Sequence, residues 1–306
     1  MHQRRLQLVL HPRTAAEASV HDAVERLRAD GCRVRVQVPD SPAGSQALAA
    51  RVASSGSVDT VVAGGGDGTI NAVASGLLSV PAARRPALGI LPLGTANDFA
   101  RGCGIPLHDP LAALRLVVEQ PALPIDIGRC GEYCFVNVAT GGFGAEVTAA
   151  TDPALKQALG SVAYLLTGLS RLSGIHAQQA RFSSGERVWE GRFLGMAVGN
   201  GRYAGGGVDV CPDARIDDGL LNVTIVPDVP EADITRALAH FMRDGTVDAH
   251  IPRVGWSCAR LRIQPSQILH INLDGEPLRV TDIDFTVLPA ALRCHLPRYC
   301  PLRRLP

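Results

Sequence analysis

Two spacings of apolar residues alternate along the first 120 positions. Leu6-Gln7-Leu8-Val9-Leu10, Thr60-Val61-Val62 and Ala87-Leu88-Gly89-Ile90-Leu91 are short runs of strand length. Val20, Ala23, Val24 and Leu27 recur at helical spacing, with Gly31 beyond them as a stop. Ile70, Val73, Ala74, Leu77 and Leu78 repeat the helical pattern, and Leu111, Leu114, Val117 and Val118 do so behind an Asp109-Pro110 start. Arg33 to Val38 alternates polar and apolar, as a half-buried strand does. Ser45 is placed to cap a helix over Gln46 to Ala53. Strands alternating with helices predict a doubly wound parallel sheet over residues 1–122.

After Pro121 the helical spacing gives way to short strands separated by turn residues. These are Tyr133 to Val138, a hairpin over Arg181 to Gly191, and Phe193 to Val198, followed by Leu220 to Val226. Ala259 to Ile263, Ile268 to Leu273 and Phe285 to Leu288 complete the set. They predict an antiparallel β-sandwich over 123–291, interrupted by helices over Pro153 to Leu172 and Glu231 to Phe241. The tail, about 292–306, is too short for a domain and is expected to pack back on the first one.

The chemistry is concentrated in one loop. Between the strand at Val62 and the helix at Ile70 stands Ala63-Gly64-Gly65-Gly66-Asp67-Gly68-Thr69. A helix start carries unpaired N–H groups and the positive end of the helix dipole. Glycines let a phosphate approach those groups. Asp67 adds a carboxylate where a phosphate-bound Mg²⁺ would sit. Three glycines alone are more often a plain turn; with Asp and Thr at these offsets the loop predicts phosphate binding. The second loop, Pro92 to Arg101, leaves the carboxyl end of the next strand, the edge where ligands of such sheets sit. Its Thr95 could equally cap a short helix over Ala96 to Ala100.

Composition narrows the setting. A net charge of +1 over 306 residues gives no nucleic-acid footprint. No apolar stretch nears the ~20 residues of a membrane span. The first residues lack the apolar core of a secretory leader, so a cytoplasmic location is expected. Eight cysteines are scattered with no C-x-x-C pair, which disfavours zinc and reads as buried small side chains in a reducing compartment.

Taken together, Gly64-Gly65-Gly66-Asp67-Gly68-Thr69-Ile70-Asn71, Pro92-Leu93-Gly94-Thr95-Ala96-Asn97-Asp98-Phe99-Ala100 and Asn272-Leu273-Asp274-Gly275-Glu276-Pro277 resemble the diacylglycerol kinase family of lipid kinases. Ala139 to Gly144, Gly199 to Arg202, Ala204 to Gly207 and Leu288 to Cys294 resemble its YegS-type branch. The resemblance implies transfer of the γ-phosphoryl group of ATP to a lipid hydroxyl of diacylglycerol or phosphatidylglycerol type, at a membrane surface touched transiently. It implies that Gly64, Gly65, Gly66, Asp67, Gly68, Thr69, Ile70 and Thr95 bind ATP, and that Asp67 and Asp98 share a metal network. Asp274 would be the general base, with Glu276 a weaker supporting acid. Read from the residues alone, Asp274-Gly275 is a hairpin turn. A structural Mg²⁺, or Ca²⁺ in its place, would be held by Asp218 and the carbonyls of Arg215 and Leu220.

The sequence departs from the family at His11-Pro12, where an Asn motif is usual, and at Pro39, where a Thr hydroxyl is usual; Ser41 is the nearest substitute. Leu155, Leu159, Val162, Leu165, Leu166 and Leu169 form an apolar helix face that reads as core packing, and Lys156, Arg171 and Arg202 are candidate headgroup cations. Two other functions compete. A kinase of a soluble acceptor such as NAD would call for a Thr-Gly-Ser-Thr-Ala-Tyr stretch, which is absent. A non-catalytic nucleotide- or lipid-binding regulator would not need Asp67, Asp98 and Asp274 together. Oligomeric state is not legible.

Overall fold

The structure is a computed structural model that describes residues 4–142, 177–230, 232, 233, 236, 240 and 251–304. The helix expected over 153–172, with its apolar face and Lys156 and Arg171, lies outside the described residues, as does most of the one expected over 231–241.

The chain forms two compact units. The first takes the residues up to Ile127, Ile216–Asp218, and those from Leu288 onward. Its strands are β1 (Arg5–Leu10), β2 (Arg33–Gln37), β3 (Thr60–Gly65) and β4 (Ala87–Pro92). They pair in parallel in the order β4-β3-β1-β2. The helices are α1 (Ala18–Ala29), α2 (Pro42–Ser55), α3 (Asp67–Leu78), α4 (Asp98–Cys103) and α5 (Pro110–Glu119). Helix α2 packs on α3 and α3 on β3, while α1 packs on α5 and α5 on β4, which gives the doubly wound arrangement. Val61, Val62, Leu8 and Leu88 are fully buried in the sheet, each contributing about 1.5–3 kcal/mol by burial.

Two local readings change. Helix α2 starts four residues before the expected position, because Ser41 is the cap: its Oγ accepts the Gly44 N–H at 3.1 Å, and Pro42 holds the first helical position. Ser45 lies inside the helix and donates to the Ser41 carbonyl. Strand β2 is an edge and ends at Gln37, one residue short of the expected run; Val34 is buried, while Val36 and Val38 are exposed.

The second unit comprises Gly128–Arg215 and Gly219–Val287. The remaining strands are β5 (Ala122–Cys130), β6 (Tyr133–Phe135), β7 (Val138–Gly142), β8 (Gln178–Ser184), β9 (Arg187–Gly199), β10 (Tyr203–Ala204) and β11 (Val208–Asp209). After them come β12 (Leu221–Pro227), β13 (Val254–Cys258), β14 (Arg260–Pro265), β15 (Leu269–Leu273), β16 (Glu276–Val280) and β17 (Ile283–His295). The pairings β16-β15-β7-β9-β8-β14-β17 are all antiparallel. Strand β9 pairs first with β8 and then, in its second half, with both β7 and β12. Its core is aromatic: Phe182 meets Phe193 edge-on at 5.4 Å and Phe135 meets Phe285 at 6.1 Å.

Strands β5 and β17 contribute residues to both units. The end of β17 joins the first sheet, Cys294 opposite Leu88 of β4 and parallel to it. Next to it His295 is 1% exposed. Its Nδ1 meets the Gln120 carbonyl at 2.8 Å and its Nε2 the Thr60 hydroxyl at 3.0 Å. A carbonyl can only accept, so Nδ1 carries the proton and the Thr60 hydroxyl donates to Nε2. Burial pushes the imidazole below its ordinary value and keeps it neutral.

Candidate active site

In the first unit the phosphate loop is built by close backbone approach. Gly66 caps α3 with extended backbone, and its carbonyl accepts the N–H groups of Thr69 and Ile70. The first-turn N–H of Gly68 has no partner within the helix by geometry, which makes it a donor for an incoming anion. The Thr69 side chain folds back over Gly65, so a Cβ there would stand 2.7 Å from the Thr69 Cβ. A Cβ on Gly94 would collide with the Gly66 backbone. Glycine at 94 is what lets the loops after β3 and β4 touch, and glycine at 65 makes room for Thr69 within the first of them. The His11 N–H donates to the Gly64 carbonyl at 2.8 Å and the Leu93 N–H to the Gly65 carbonyl at 3.0 Å. The turns after β1, β3 and β4 thus converge on one sheet edge.

Asp67 locks the two loops together. Its carboxylate accepts the Asp98 N–H at 3.1 Å and the Phe99 N–H at 3.0 Å. Burial raises the carboxyl above its ordinary value, and the Phe99 and Asp98 N–H groups oppose the shift. Asp98 is itself buried in the first turn of α4. The α4 cap is Asn97, not Thr95, and α4 begins at Asp98 rather than Ala96. Asn97 has φ 51 and ψ 42; its Oδ1 accepts the Gly94 N–H at 2.9 Å and its Nδ2 donates to the Gly94 carbonyl at 2.7 Å. That closed ring leaves Thr95 exposed at the tip. Ser41 is engaged as the α2 cap, and Asp40 accepts from its hydroxyl.

In the second unit Asp274 and Gly275 form the turn between β15 and β16, with φ 48 and 102. The Asp274 carboxylate, 8% exposed, accepts backbone N–H groups from Val136 at 2.6 Å, Asn137 at 3.1 Å and Val138 at 2.9 Å. The run expected as one strand over Tyr133 to Val138 breaks at Val136-Asn137 for this reason. Those N–H groups turn to a carboxylate instead of a neighbouring strand. Two asparagines hold the break: Asn200 Nδ2 donates to the Val136 carbonyl at 2.7 Å and Asn137 Nδ2 to the Tyr203 carbonyl at 2.8 Å. Glu276 is exposed at the start of β16. Arg202 is half-buried and its carbonyl accepts the N–H groups of Val210 and Cys211.

Asp218 is 11% exposed at its side chain and stands 3.8 Å from the Arg304 guanidinium. Arg215 and Leu220 are half-buried residues on either side of it in sequence. A carboxylate and main-chain carbonyls are hard oxygen donors, the set a dication such as Mg²⁺ or Ca²⁺ takes. No group of three or more His, Cys, Asp or Glu side chains is placed to hold a metal among the described residues.

Sequence reasoning missed Asn97, Asn137, Asn200 and Asp126. The last is buried; its Oδ1 accepts the N–H of Ala290 at 2.7 Å and holds that residue at φ 49. For Asn97 a signal existed, since asparagine is the side chain that best tolerates positive φ.

The Diacylglycerol kinase catalytic domain family matches residues 6–130, and the YegS C-terminal NAD kinase beta sandwich-like domain family matches 137–296. A "Probable lipid kinase YegS-like" protein of Pseudomonas aeruginosa is 45% identical over 309 residues, covering 100% of this chain and 99% of that protein. The chain belongs to the YegS-like branch of the diacylglycerol kinase family. A second member, from Xanthomonas axonopodis pv. citri and with the same description, is 42% identical, with 97% of both chains covered. The crystal structure of a diacylglycerol kinase from Bacillus anthracis str. Sterne shares the fold, with a TM-score of 0.72 at 19% identity and 97% of each chain covered. Family membership makes the chain an enzyme, a phosphotransferase of the kinase class. No helix of the described residues is long and apolar enough to cross a membrane.

Proposed function

We propose that the chain transfers the γ-phosphoryl group of ATP to the hydroxyl of a membrane lipid alcohol, of diacylglycerol or phosphatidylglycerol type. The observation that carries this reading is the doubled loop in the first unit. A glycine turn at a helix start is clamped by Asp67 to a second turn bearing an exposed Thr95, in a chain whose full-length relatives are described as lipid kinases. The loop from Gly64 to Ile70 holds the phosphates by main-chain N–H groups, and the Thr95 hydroxyl donates a further bond. Asp67 acts mainly by fixing the second loop, because both its oxygens accept N–H groups of α4.

Asp274 takes the proton of the attacking hydroxyl. Its carboxylate is held by the main-chain N–H groups of Val136, Asn137 and Val138. Little is asked of the base where the transition state is loose and the proton leaves late. The same three bonds fix the carboxylate's direction, which is the larger need in a reaction governed by positioning. A hard dication, when bound, would supply charge neutralisation and order to its loop, and Asp218 with the carbonyls of Arg215 and Leu220 would hold it. The enzyme would work from the cytoplasm, meeting the bilayer transiently to reach its acceptor.

Labelled ATP offered with vesicles of diacylglycerol, phosphatidylglycerol or an inert phospholipid, and separately with NAD, tests the reading. Label is expected in one of the lipid-alcohol fractions. Label in NAD alone would overturn it. For the metal, the expected result is a melting temperature that rises with Mg²⁺ in the parent chain and is indifferent to it in Asp218→Ala. A parent chain that does not respond to Mg²⁺ or Ca²⁺ removes the site.

A further inference from the structure

Strand β7 runs between β9 and β15, and both neighbours stop near its first residues. Val138 stands opposite Gly199, the last residue of β9, and Ala139 opposite Leu273, the last of β15. The residue that follows each end therefore flanks the stretch before β7, Asn200 on one side and Asp274 on the other. Both are buried, Asn200 completely. The next residue, Gly201, comes so close that a Cβ on it would collide with Asn137 Oδ1.

We propose that Asn200 is a positioning residue for phosphoryl transfer, which keeps three successive main-chain N–H groups on one side so that they aim the Asp274 carboxylate. The inference rests on Asp274 as the group that takes the acceptor's proton. Two peptide units are hydrogen-bonded at both ends. In the unit joining Val136 to Asn137, the carbonyl accepts Asn200 Nδ2 at 2.7 Å and the N–H donates to Asp274 Oδ1 at 3.1 Å. In the unit joining Asn137 to Val138, the carbonyl accepts the N–H groups of Asn200 at 2.9 Å and Gly201 at 2.7 Å. The N–H of that unit donates to Asp274 Oδ1 at 2.9 Å. A peptide unit is planar, so fixing its carbonyl fixes the direction of its N–H. Along a strand successive N–H groups point to alternate sides. Three on one side, Val136 included, is a conformation that has to be held. Asn200 supplies two of the three donors that hold it, one from its side chain and one from its main chain.

Truncation of Asn200 to alanine removes the anchor of the Val136 carbonyl and leaves the main-chain donors. The first peptide unit is then able to turn, and the Asn137 N–H turns with it. The carboxylate stays but loses its fixed direction. In a reaction governed by positioning, a misplacement on the order of 1 Å costs up to about 10²-fold in rate. A general loss of stability acts differently. It lowers the share of folded enzyme and scales every rate, including the residual rate of a chain without its base, by one common factor.

The test compares the full-length parent, Asn200→Ala, Asp274→Asn and the double variant, with labelled ATP and vesicles containing both diacylglycerol and phosphatidylglycerol. Asn200→Ala is expected to lower kcat by about 10–100-fold with the KM for ATP unchanged. In the Asp274→Asn background the same substitution should lower the residual rate no further, because the two residues act as a unit. Losses that multiply, or Asn200→Ala at the parental kcat, would overturn the positioning role and leave Asp274 as the base. Turnover of Asp274→Asn at the parental rate would remove the base and the positioning role with it. Hydrogen exchange in the parent chain needs no variant to fold. The N–H groups of Val136, Asn137 and Val138 are expected to exchange as slowly as those within β7. Exchange at the rate of an exposed loop would show that nothing holds them and overturn the proposal.

Discussion

Asp274→Asn is expected to lower turnover by roughly 10²–10⁴-fold, the span of a lost general base, with nucleotide affinity little changed. The structure adds a second expectation. The carboxylate accepts N–H groups of Val136 and Val138 on different oxygens. An asparagine has one acceptor oxygen, so its NH₂ group must face one of those donors. Leaving a buried N–H without an acceptor costs about 1–3 kcal/mol, and a lower melting temperature should accompany the loss of turnover. The two effects separate in the assay. Saturating ATP and lipid restore no rate if the base is gone, whereas a merely loosened fold regains activity on cooling. Turnover near that of the parent would remove Asp274 from the proton-transfer role.

Asp67→Ala is expected to weaken ATP binding by about 10-fold or more and to destabilise the chain by about 1–3 kcal/mol for each N–H left unsatisfied. The side chain joins two turns by accepting the N–H groups of Asp98 and Phe99 on its two oxygens. Its removal leaves the Leu93–Gly65 bond to tie the second turn to the glycine loop, so Thr95 is held less firmly. The pH dependence is also set. The folded carboxyl is raised by burial, so it binds its proton more tightly folded than unfolded. Its contribution is therefore greatest below the ordinary carboxylate range and declines as pH rises through the raised value. The stability gap between parent and variant should narrow over that interval. A gap that widens, or ATP binding unaffected by the substitution, would show that Asp67 does not hold the site in this way. Calorimetric titration with ATP and melting curves across acid pH make both measurements.

The parts of this fold legible in the sequence are those whose signal is local. The periodicity of α1, the apolar run of β3 and the glycine turn into α3 each declare themselves within a dozen residues. Strand β17 was legible only to Leu288, because Pro289 and Ala290 read as an end. Ala290 is carried through positive φ by a hydrogen bond to Asp126, 164 residues earlier in the chain. Strand β13 contains a glycine and strand β16 a proline, and neither announces itself. Helix α2 was read short because Ser-Pro-Ala-Gly looks like a loop, though Ser41 and Pro42 are a good helix start. At the site the candidate residues were legible as types, and their partners were not. Nothing near Asp274 in sequence shows that its acceptor oxygens face Val136, Asn137 and Val138. The break those residues make in a strand pattern has its cause more than 130 positions away.

The strand that flanks β4 has a consequence for how the chain is made. The part of it that lies in the first unit starts at Leu288, so all the residues before it leave the ribosome before the first sheet can close. Until then the outer side of β4 is a bare edge, open to pairing with other chains. Synthesis order and folding order therefore disagree: the first unit is begun first and finished last. A fragment ending near residue 130, where the catalytic-domain match stops, would stay in that unfinished condition permanently.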